Sequence, residues 1–107
     1  MERGGMRVSV KVLGRLTELL PERELSVSVT EGETLEGLLR SLDERAKGRL
    51  LKQLLDEEGR VREEYVLLLN GAPVTSELKE VKLRDGDRLV IFPPASGGAE
   101  ERLAHYF

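Results

Sequence analysis

The segment Met6 to Leu13 (MRVSVKVL) alternates apolar and polar positions, with Met6, Val8, Val10 and Val12 facing one way and Arg7, Ser9 and Lys11 the other. A period of two predicts a half-buried strand. Gly14 breaks the alternation, RLTELL up to Pro21 has room for one short helical turn, and Leu25, Val27 and Val29 then alternate with Ser26 and Ser28. Two strands joined this closely form a hairpin. In TEGETLEGLLRSLDER the period changes, because Leu35, Leu38, Leu39 and Leu42 fall at i, i+3, i+4 and i+7 behind Thr34, a side chain suited to an N-cap. This is the main helix. Leu50, Leu51, Leu54 and Leu55 repeat the rhythm and predict a second, shorter helix over Lys47 to Leu55, ended by Gly59.

Tyr65 to Leu69 (YVLLL) is a continuous apolar run, the mark of a buried strand. Asn70-Gly71 suits the positive φ of a tight turn, and the chain returns through Ala72-Pro73-Val74. Asp85-Gly86 is a second turn signal, after which Leu89 and Ile91 alternate with Arg88 and Val90 in a last strand. The order strand, strand, helix, strand, short strand, strand predicts an α+β domain, with one main helix plus a short second helix on a mixed sheet. With the first strand placed beside the last at the sheet's centre, this is a β-grasp.

Composition narrows the function more than the fold. At 107 residues the chain is one domain, and no apolar run approaches the roughly 18 residues that span a bilayer, so no membrane partner is expected. MERGGMRVSV lacks the apolar stretch of a secretory signal and the chain has no cysteine, so the expected location is cytoplasmic. A net charge of −3 with both signs interleaved gives no basic face for a phosphate backbone, which argues against nucleic acid. Candidate side-chain chemistry is sparse. His105 stands alone, without the partners that a metal site or a triad requires. Asp85 and Asp87 flank a turn glycine, where local hydrogen bonds to backbone explain them better than acid–base work. Glu57-Glu58 and Glu63-Glu64 read as solvated loop charges. No metal and no cofactor is expected.

Four stretches carry a family resemblance: VKVLGRLTELL (Val10 to Leu20), EGETLEGLLRSL (Glu31 to Leu42), LLLNGAPV (Leu67 to Val74) and above all DGDRLVIFPPASGG (Asp85 to Gly98). Together they resemble the ubiquitin-like β-grasp sulfur carriers, nearest to the molybdopterin synthase small subunit (MoaD) and more distantly to the thiamine sulfur carrier (ThiS). The resemblance implies a sulfur carrier in molybdopterin biosynthesis that supplies no catalytic side chains. An activating enzyme related to ubiquitin-activating enzymes adenylates the terminal glycine carboxylate, which becomes a thiocarboxylate and donates sulfur within a complex with the synthase large subunit. Carried onto this chain, the reactive terminus is Gly98, preceded by Gly97. The binding arm comprises Phe92, Pro93, Pro94, Ala95 and Ser96. Glycine gives such an arm slimness and freedom, while Pro93 and Pro94 stiffen its exit from the sheet. Phe92, alternating outward from Ile91, either contacts a partner, caps the sheet edge or lies under the tail.

The departure from the family pattern is the segment 99–107, AEERLAHYF, since the carriers end at the second glycine. Fully extended, these nine residues carry the Phe107 carboxylate about 30 Å past Gly98. The sequence therefore divides into a carrier domain, residues 1–98, and a C-terminal extension that is either cut off by a processing protease or docked permanently. In the second case the chain is a non-conjugating binding module, and a helical turn would set Leu103, Tyr106 and Phe107 on one side. A processed chain also suits a ubiquitin-like protein modifier or a carrier for tRNA thiolation.

Overall fold

The computed structural model describes residues 5–93. Strand β1 (Gly5–Val12) buries every second residue, as its alternation requires, and pairs antiparallel with β2 (Glu24–Thr30). The connection between them holds a short 3-10 helix, Gly14–Glu18, which drops Leu16 into the core. Helix α1 (Leu35–Arg45) starts at Thr34, whose side-chain oxygen accepts the Gly37 N–H at 3.2 Å, so one orphan donor of the first turn is satisfied. Its leucines Leu35, Leu38, Leu39 and Leu42 are all buried.

Helix α2 covers Leu50–Leu54 rather than the expected Lys47 to Leu55. The chain passes through left-handed backbone at Lys47 (φ 58°) and Gly48 (φ 77°), which closes α1 and cannot belong to a right-handed helix. The new start is capped from the old helix, because an Asp43 carboxylate oxygen accepts the N–H groups of Leu50 at 2.9 Å and Leu51 at 3.0 Å. At the other end the helix stops before Gly59, which sits instead in the Asp56–Arg60 turn.

Strand β3 (Val66–Leu69) turns through Asn70 (φ 54°) and Gly71 (φ 87°) into the two-residue β4 (Ala72–Pro73), the pair of positive φ values expected of a primed hairpin turn. A second 3-10 turn, Leu78–Glu80, precedes β5 (Arg88–Phe92). The sheet order is β2-β1-β5-β3-β4, with β1 and β5 parallel and the other pairs antiparallel. This is the β-grasp arrangement the sequence predicts. The helices cover one face, where Val8, Val10, Val12, Val27, Leu67, Leu89 and Ile91 meet the leucines of α1 and α2 in one core cluster. Among the described residues, no buried side-chain nitrogen or oxygen lacks a hydrogen-bond partner, and no helix is long and apolar enough to cross a membrane.

Candidate functional site

Parallel pairing of β1 and β5 brings the C-terminal ends of both strands to one edge of the domain, with Val12 opposite Ile91. The Leu13 N–H donates to the Ile91 carbonyl at 2.9 Å and continues the pairing past the last strand residue. The start of the predicted arm is thereby tied to the sheet. Phe92 lies opposite Val66 of β3, and although alternation turns it away from Ile91 it is only 5% exposed. A freely presented aromatic at the base of the arm is therefore not what the fold shows.

Pro93 is exposed and leaves the sheet against Gly14. Gly14 has φ +73°, and a Cβ added there would stand 2.5 Å from Pro93 Cγ and 2.8 Å from Pro93 Cδ. Only glycine meets both demands, left-handed backbone and a ring packed on its α-carbon. The Thr17 hydroxyl donates to the Gly14 carbonyl at 2.8 Å and ties the 3-10 turn to the same point. In the sequence Gly14 shows only as a break in the alternation, and nothing local couples it to a proline far along the chain. Pro94, Ala95, Ser96, Gly97 and Gly98 lie outside the described residues, as do His105 and the segment 99–107.

The Asp85-Gly86-Asp87 turn braces the opposite end of β5. Asp85 reaches a strand rather than its own turn: its carboxylate accepts the Arg7 N–H at 2.8 Å, while the Gly86 N–H donates to the Arg7 carbonyl at 2.8 Å. Asp87 is 8% exposed. One of its oxygens accepts the Arg84 N–H at 2.7 Å, and the other accepts Asn70 Nδ2 at 2.9 Å. Asn70 in turn accepts the Arg88 N–H at 2.9 Å. The expected local bond to backbone is present at Asp87, but Asp85 and the second oxygen of Asp87 serve long-range joints. Both carboxylates are occupied in fixing the β1, β3–β4 and β5 junction.

Among the described residues, no group of three or more His, Cys, Asp or Glu side chains converges as a metal site. A surface cavity of about 570 Å³ lies between the 58–61 loop and the 74–79 segment, and none of its lining residues belongs to the arm. Glu57, Glu58, Glu63 and Glu64 are exposed, as expected of solvated loop charges. What the described geometry offers chemically is a braced exit: a short strand held at both ends, delivering Pro93 in one direction beside Gly14.

Comparison with known proteins agrees with this architecture. The Haloferax volcanii HVO 2177 protein superposes with a TM-score of 0.73 at 26% identity, over 92% of this chain and 92% of that one. The small archaeal modifier protein 1 (SAMP1) from Methanosarcina acetivorans is 31% identical, with a TM-score of 0.65 over 88% of this chain and 98% of its own. Subunit 1 or 2 of the molybdopterin-converting factor from Helicobacter pylori, solved as a complex of the two, matches in fold with a TM-score of 0.55 at 24% identity, over 87% of this chain and 100% of that one. No curated protein matches the sequence. Residues 10–98 match the ThiS family, so the chain belongs to that family, among the ubiquitin-like β-grasp sulfur carriers and modifiers.

Proposed function

We propose that the chain is a sulfur carrier of molybdopterin biosynthesis that works through the carboxylate of Gly98 once residues 99–107 have been removed. The observation that supports a working Gly98 terminus is the extent of the family match, which runs to residue 98 and takes in the Gly97-Gly98 pair. The molybdopterin acceptor rests on the resemblance of the Asp85 to Gly98 stretch to the molybdopterin synthase small subunit. The Gly98 carboxylate attacks the α-phosphorus of ATP, releasing pyrophosphate and leaving an acyl adenylate. A sulfur nucleophile then displaces AMP and leaves a thiocarboxylate. With no cysteine in the chain, that sulfur comes from a separate donor. The partners are an adenylating activating enzyme, the synthase large subunit and a processing protease. A subunit association of this kind is what the Helicobacter pylori complex records for its own chains.

A second reading, attachment to proteins through an isopeptide bond, is favoured by the 31% identity to a protein named as a modifier. Both readings need a free Gly98 carboxylate and differ in the acceptor. The test is the intact mass of the protein from its source cells, with its terminal fragment sequenced. A chain ending at Gly98 with sulfur replacing one carboxylate oxygen supports the carrier; a Gly98 joined to a lysine remnant supports the modifier. A chain that ends at Phe107 under all growth conditions overturns both.

A further inference from the structure

The sheet carries a second apolar face. Both helices and both 3-10 turns send their buried side chains into the single cluster that contains Val8, Val10, Leu67, Leu89 and Ile91. Leu68 and Phe92 are also buried, at 1% and 5% exposure, yet neither belongs to that cluster. Strand alternation places them on the opposite face. The register sets Leu68 beside Val90 and Phe92 beside Val66, so four apolar residues adjoin across the β3–β5 pair. Arg7 and Lys11 of β1 and Arg88 of β5 share this face; Lys11 is paired with Glu24 of β2 at 3.6 Å, so the positive charge at its border comes from Arg7 and Arg88.

We infer that this face is the docking site of the chain's own C-terminal segment, residues 99–107. Position is the first argument: β5 ends at Phe92, one of the four apolar residues, so the chain leaves the sheet at the edge of the patch. Reach is the second. Residues 94–98 (PASGG) extend to about 17 Å, and the neighbouring strand lies about 5 Å away, so the arm has length enough to double back over β3. The third argument is complementarity. In a helical turn Leu103, Tyr106 and Phe107 fall on one side, and Glu100, three residues before Leu103, flanks that side with a negative charge that Arg7 and Arg88 attract. A segment this short is not stable as a helix alone, so its order depends on a surface of this kind. None of these steps uses sulfur chemistry, and the inference stands or falls apart from the carrier reading. In its docked form the segment covers the β3–β5 face and draws Gly97-Gly98 back toward the domain.

The experiment is methyl NMR on three proteins: the full chain, the full chain with Tyr106→Ser and Phe107→Ser, and a chain ending at Gly98. Val8 and Leu39 methyls report the helix-side core and should coincide in all three, which establishes that the fold is intact. Docking moves the Leu68, Val66 and Val90 methyl resonances of the full chain away from those of the other two. It also yields nuclear Overhauser contacts from the Tyr106 or Phe107 ring to the Leu68 methyls. Coincident Leu68 resonances in all three proteins overturn the inference. So does a shift that disappears on dilution together with a dimer in sedimentation, because the occupant is then a second copy.

Discussion

Replacing Gly14 by alanine adds one carbon at the point where the chain leaves β5, and two separable terms set its effect. The first is conformational, since φ +73° is left-handed backbone that costs an L-residue about 1–2 kcal/mol. The second is steric: the new Cβ would lie 2.5 and 2.8 Å from two ring atoms of Pro93, and relieving such overpacking costs about 1–3 kcal/mol. Gly32 isolates the first term, because its φ is +89° and nothing lies within 4 Å of an added Cβ. Gly32→Ala should therefore lose about 1–2 kcal/mol in urea unfolding, and Gly14→Ala at least about 1 kcal/mol more. For a domain of this size that excess lowers the melting temperature by about 4–8 °C relative to Gly32→Ala. Pro93→Ala removes Cγ and Cδ, the two close atoms, so the double variant Gly14→Ala/Pro93→Ala should recover the steric part and leave the conformational one. Equal losses for the two glycine variants, or additive losses in the Gly14/Pro93 cycle, would refute the claim that Gly14 seats Pro93.

Gly98→Leu should retain partner binding and abolish sulfur transfer, read by a pull-down and a thiocarboxylate assay; unaffected transfer would exclude Gly98 as the working terminus. Asp87→Ala leaves the Arg84 N–H and Asn70 Nδ2 without their acceptor at a nearly buried site, and should cost about 2–3 kcal/mol in denaturant unfolding. The Asp56 carboxyl is held below its ordinary value, chiefly by the Arg60 N–H bond and also by that of Glu58, both at 2.9 Å. Burial acts in the opposite direction and is outweighed. Because the folded state favours the carboxylate, its contribution is present above the unfolded value of about 3.9 and is lost as pH falls through the lower folded value. A carboxyl titration by NMR should show that low transition, and Asp56→Asn should flatten this part of the stability profile.

Much of the fold is legible in the residues themselves. The period-two runs at Met6–Val12 and Leu25–Val29 and the i, i+3, i+4, i+7 leucines after Thr34 each state which face is buried, because a side chain's face follows directly from its place in a strand or helix. The order of those elements was enough to predict β1 beside β5 at the centre of a mixed sheet. Tertiary structure decided what periodicity does not encode. Asp85 bonds to Arg7 across 78 positions, and Asp43 caps α2 because the left-handed step at Lys47 and Gly48 returns the chain to it. The pairing of Gly14 with Pro93 requires the parallel β1–β5 register, which no window of sequence contains. Phe92 shows the same division: alternation puts it on the face away from the helices, but its burial depends on what lies across that face, a property of the assembled chain.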